Sequence, residues 1–120
     1  MGKHVYDIHE ISKLVEPVAK SYGAERLYVF GSYARGDATP DSDIDFRLEK
    51  GLINDFFVLS AFQRELQEQF NIPVDVLTTG ALTNDFLERI RKEEISVYES
   101  ASIRIPELRS YCLECIKALS

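Results

Sequence analysis

Two carboxylates one residue apart, Asp43-Ile44-Asp45, stand in a run with the pattern of a β-strand. Side chains alternate along a strand, so Asp43 and Asp45 share one face and Ile44, Phe46 and Leu48 take the other. Two like charges at roughly 4 Å repel by about 4 kcal/mol at an effective dielectric near 20. A cation must offset that, and the nearest in sequence is Arg47, further along the same face. A divalent metal is the more economical answer. Oxygen-only ligation suits Mg²⁺, which takes one or two carboxylates and completes its shell with phosphates and water.

Ahead of the pair, the apolar run Leu27 to Phe30 reads as a buried strand that ends at Gly31, where the backbone must turn sharply. Ser32 opens a short helical turn whose hydroxyl and N–H groups face an anion. A phosphate cradle at Gly31-Ser32 and a metal clamp at Asp43 and Asp45 together describe a Mg-nucleotide site. The P-loop pattern Gly-x-x-x-x-Gly-Lys-[Ser/Thr] is absent from the chain.

Gly31-Ser32, ten intervening residues, then Asp-x-Asp resembles the signature of the DNA polymerase β-like nucleotidyltransferase superfamily. The fuller form Gly31-Ser32-Tyr33-Ala34-Arg35-Gly36 with Ser42-Asp43-Ile44-Asp45 resembles its minimal nucleotidyltransferase (MNT) branch, over about residues 8 to 99. The resemblance implies an α/β (α+β) nucleotidyltransferase fold, a small mixed β-sheet with helices mainly on one face. It implies nucleotide binding by Gly31, Ser32 and Arg35, and two Mg²⁺ ions held by Asp43, Asp45 and a third carboxylate on the neighbouring strand. Asp75, in Val74-Asp75-Val76-Leu77, matches that position, and should then lie within about 10 Å of Asp43. It also implies transfer of AMP from ATP, with Asp75 taking the proton of the incoming hydroxyl, and a HEPN-domain ribonuclease toxin as the acceptor, modified on a tyrosine and silenced by this antitoxin. Two alternatives stay open: a non-catalytic antitoxin that blocks its partner sterically, and transfer to a small molecule such as an aminoglycoside.

At 120 residues the chain is expected to form one domain, over 1–103, with an amphipathic segment of the same domain at 104–120. The formal net charge of −6 argues against direct nucleic-acid binding. No apolar run approaches the ~20 residues of a membrane span and no signal-peptide pattern opens the chain, so a cytoplasmic protein is expected. Cys112 and Cys115 read as two small apolar residues on a helix rather than half of a zinc site. The stretch after Pro106 either packs back on the domain or docks a partner.

Periodicity predicts a helix over 8–21 opened by an Asp7–Glu10 capping box, interrupted or kinked at Pro17 and stopped at Gly23. Strands follow over 26–30 and 43–48. A helix capped by Asn54 buries Leu59, Phe62, Leu66 and Phe70 and ends at Asn71 and Pro73. A short strand over 74–77, a helix capped by Thr83, and a last strand over 95–98 complete the pattern. His4 and His9 are read as surface residues. Arg35 either reaches a triphosphate or pairs with Asp37 or Asp41 to order the loop. Asp41 and Ser42 set the loop that presents Asp43, and Tyr33 is a packing or base-adjacent residue.

Overall fold

The computed structural model describes residues 5–100. In it, α1 (Ile8–Tyr22), β1 (Arg26–Phe30), a single helical turn α2 (Ser32–Arg35), β2 (Ile44–Glu49), α3 (Phe56–Phe70), β3 (Val74–Thr78), a 3₁₀ turn (Thr79–Ala81), α4 (Asn84–Arg91) and β4 (Ile95–Glu99) follow one another. The four strands form one mixed sheet in the order β3-β2-β1-β4. β1 pairs antiparallel with β2 and β4, and β2 pairs parallel with β3. The parallel pair requires a crossover, which α3 supplies.

The alternation read from the sequence decides which side of the sheet is core. Leu27, Val29, Ile44, Phe46, Leu48, Val74 and Val76 point to one face. There they meet Ile11, Val15 and Val18 of α1 and Phe62, Leu66 and Phe70 of α3. The opposite face carries the polar residues in register rows: Phe30, Asp45 and Asp75 in one, Tyr28, Arg47 and Leu77 in the next. α1 and α3 therefore lie together on the core face. α4 reaches the other face at the end of β1, where Phe86 meets Phe30 edge-on at 6.0 Å between ring centroids.

Local chemistry explains the boundaries. Asp7 and Glu10 form the expected capping box: the Glu10 N–H donates to Asp7 Oδ1 at 2.8 Å, and the Asp7 N–H to Glu10 Oε1 at 2.9 Å. Gly23, in the left-handed region at φ 73°, closes α1. Pro17 does not interrupt the helix, contrary to expectation; α1 runs through it to Tyr22. Pro17 and Lys13 both lie on the exposed face. The Lys13 carbonyl that loses its partner can be hydrated there, and the core stripe beneath carries the helix across.

The cap of α3 also differs from expectation. Asp55, not Asn54, holds it, accepting from the Val58 N–H at 2.9 Å. Both residues are good caps, and the exposed Phe56 and Phe57 blur the apolar pattern that would locate the first turn. Asp55→Ala is expected to cost about 1 kcal/mol of stability and Asn54→Ala close to nothing, measured by urea unfolding. Asn71 at φ 60° ends α3 and Thr83 caps α4, as read from the sequence. β2 starts at Ile44 rather than 43, so Asp43 sits just before it. Tyr33 is a packing residue, 5% exposed within the core cluster. His9 is exposed, while His4, Cys112, Cys115 and the stretch after Pro106 lie outside the described residues.

Candidate active site

The site is built where β1 ends, α2 begins and β2 and β3 start side by side. The parallel register places Asp45 directly opposite Asp75. Asp43 sits one residue before this ladder begins at Ile44 and Val74. Asp43 and Asp75 are exposed, and Asp45 is half-buried between them. Burial first, then the charges of Asp75 and Asp43, push the Asp45 carboxyl up from 3.8 to about 6. Arg35 opposes that shift, and Glu93 adds to it. Arg47, the one cation foreseen on this face, does not neutralise the pair. It is 2% exposed and committed to Glu94, at 2.8 Å from Nε and 2.7 Å from Nη2, and to Glu49 at 3.2 Å.

Gly31 brings the second half of the site against the first. Its φ of 78° and ψ of −152° are closed to other residues, and an added Cβ would stand 2.7 Å from Asp45 Oδ2. The glycine thus lets the chain turn where any side chain would collide with the Asp45 carboxylate. α2 starts at once at Ser32, directly after the glycine that lies against Asp45. Arg35, at the other end of this turn, is half-exposed and pairs at long range with Asp37 at 3.4 Å and Glu93 at 3.3 Å. Of its two expected loop partners, Asp37 is found. Ser42 orders the loop before Asp43: its Oγ accepts from the Thr39 N–H at 2.9 Å, and its own N–H donates to the Thr39 carbonyl.

Glu93 and Glu94 were not foreseen. Two acidic residues before a strand carry no sequence signal of partners 62 and 47 positions away. Glu93 accepts from the Gly31 N–H at 2.8 Å. Beside them a cleft of about 310 Å³ is lined by Phe30, Gly31, Arg35, Phe86, Arg89 and Glu93, among others.

The donor set fits Mg²⁺. All three carboxylates offer oxygen only, and the raised Asp45 shows a site where added positive charge would be favourable. Among the described residues no three Asp, Glu, His or Cys side chains are grouped to hold a metal ion as they stand. Among the same residues no helix is long and apolar enough to cross a membrane.

A mixed sheet that presents an Asp-x-Asp pair, a neighbouring-strand aspartate and a Gly-Ser turn at one edge defines a nucleotidyltransferase-type enzyme. The chain belongs to the nucleotidyltransferase domain family, whose model matches residues 11–105. It is 34% identical over 91 residues to a candidate protein adenylyltransferase of Methanocaldococcus jannaschii, covering 76% of this chain and 98% of that protein. A solved structure described as a candidate minimal nucleotidyltransferase is 26% identical, with a TM-score of 0.66, and covers 78% of this chain and 98% of its own. The fold is also shared, at 13% identity and a TM-score of 0.59, with a structure of a tri-AMPylated Shewanella oneidensis HEPN toxin in complex with an MNT antitoxin. There the match spans 78% of this chain and 73% of that one.

Proposed function

We propose that this enzyme transfers AMP from Mg-ATP to a protein hydroxyl, a tyrosine of a HEPN-domain ribonuclease toxin, and acts as the antitoxin of that partner. The observation that carries the reading is the register of Asp45 against Asp75 beside the Ser32 turn. Ser32, Gly31 and Arg35 hold the triphosphate, its charge met by the guanidinium and by the leading N–H groups of α2. Asp43, Asp45 and Asp75 would hold Mg²⁺, two ions in the fullest form, which when bound polarises the phosphoryl oxygens and stabilises charge on the leaving group. Asp75, exposed on β3, receives the proton of the incoming hydroxyl. The hydroxyl oxygen bonds to the α-phosphorus as the bond to the β-phosphate bridge breaks, and pyrophosphate leaves.

Three further features support a protein acceptor. Asp43 and Asp75 are both exposed, so a macromolecule can approach them. The net charge of −6 favours association with a basic partner. The M. jannaschii relative carries the name of a protein adenylyltransferase, and the Shewanella neighbour is a complex with an AMPylated HEPN toxin. The unit is proposed to span 1–103, with 104–120 as an amphipathic segment of the same domain and a further contact for the partner. A cytoplasmic location accords with a ribonuclease partner.

The test is co-expression with the HEPN partner followed by intact-mass analysis. The partner is expected to gain about 329 Da per modified tyrosine, the adenylate left when pyrophosphate departs, and Asp43→Ala is expected to remove the gain. A partner that stays unmodified, yet is neutralised equally well by the Asp43→Ala protein, favours a steric antitoxin instead.

A further inference from the structure

The geometry points to Glu93 as a positioning residue for the nucleotide cradle, a role that rests on the reading of Gly31, Ser32 and Arg35 as that cradle. Gly31 joins β1 to the phosphate-binding turn and lies against the Asp45 side chain of β2. Its positive-φ conformation has no side chain to brace it, and a Cβ there would meet Asp45 Oδ2 at 2.7 Å. What braces it is the Glu93 carboxylate, which accepts its N–H at 2.8 Å in a half-buried setting. Such a charge-assisted bond is about twice as strong as a neutral one.

The same carboxylate meets Arg35 Nη1 at 3.3 and 3.4 Å, long and on the exposed side. The unequal lengths assign two jobs. The short bond fixes Gly31. The long one parks Arg35 within reach of the turn while leaving it free to exchange a carboxylate for a phosphate.

Glu93 is itself held. Its N–H and that of Glu94 both donate to the Ile90 carbonyl at the end of α4, at 3.0 and 2.8 Å. Glu94 is locked bidentately onto the buried Arg47. The dipeptide therefore grips β2 with one carboxylate and the start of α2 with the other, so that the turn and the aspartates move as one unit. A carboxylate beside Asp45 adds to the repulsion there. That cost is consistent with a structural gain from the Gly31 bond.

Two measurements test this. Amide exchange at Gly31, read by NMR, needs no nucleotide. Glu93→Ala is expected to lose protection there, while Glu93→Gln, which keeps an acceptor oxygen, retains it. Mg-ATP binding and transfer are then measured on the same proteins. Glu93→Ala is expected to raise the KM for ATP about tenfold with a smaller change in kcat, and Glu93→Gln to restore most of the loss. Unchanged Gly31 protection in Glu93→Ala, tighter ATP binding by either variant, or a Gln variant as impaired as Ala would overturn the assignment. Should the wild type not bind Mg-ATP while Gly31 behaves as expected, the cradle reading fails and the clamp on Gly31 stands.

Discussion

Asp45→Asn is expected to lower nucleotidyl transfer by roughly a thousandfold or more, and to make the metal-free protein more stable near neutral pH. The first effect follows from removing a charge that the Mg²⁺ site would lose; several kcal/mol of transition-state stabilisation correspond to that factor. The second follows from the upward shift of Asp45 from 3.8 to about 6. A raised carboxyl favours the folded state while protonated. Its contribution is fully present below about pH 4 and is lost as the pH rises through 6. Discounted for partial exposure, the loss is about 2 kcal/mol by pH 7. Asparagine never ionises, so the melting temperature of the variant should match wild type near pH 4 and exceed it by about 10 °C at pH 7.5 without Mg²⁺. Mg-ATP should stabilise the wild type and not the variant, reversing the order. Equal stabilisation of both by Mg-ATP would remove Asp45 from the metal site.

The second large effect concerns Arg47. Arg47→Leu is expected to destabilise the protein by about 3–5 kcal/mol in urea unfolding, because it leaves Glu94 charged and largely shielded from water without its cation. The Glu94 side chain is only 10% exposed. Arg47 also donates to Thr79 Oγ1 at 2.8 Å and lies 4.3 Å from the centre of the Tyr28 ring, so the charge, the hydrogen bond and the ring contact are lost together. The double variant Arg47→Leu, Glu94→Leu should recover much of the loss, since it leaves no orphaned charge. If the single variant is as stable as wild type, the pair is not holding the open face of the sheet together.

The chain is legible from its sequence where a pattern is local and period-bound. The alternation Ile44, Phe46, Leu48 against Asp45 and Arg47 revealed the two faces of β2, and Gly31 revealed the turn. The placement of Asp75 beside Asp45 needed the parallel pairing of β2 and β3, which the family resemblance implied and the periodicity alone did not. What was hidden depends on contacts between distant residues. Whether Pro17 breaks a helix depends on which side of α1 faces water. Whether Arg47 offsets Asp43 and Asp45 depends on Glu94, across the open face from it. The choice between Asn54 and Asp55 as cap turns on one residue of phase, which two exposed phenylalanines obscure.

The central claim is that the bond broken is the one between the α- and β-phosphates of ATP and that the three aspartates make this possible. It is tested most directly by incubating the protein and its HEPN partner with Mg²⁺ and ATP labelled at either the α- or the γ-phosphorus. The α-label is expected to remain on the partner and the γ-label to leave with pyrophosphate, with no α-labelling by Asp45→Asn. Retention of the γ-label, or equal α-labelling by wild type and Asp45→Asn, would contradict it.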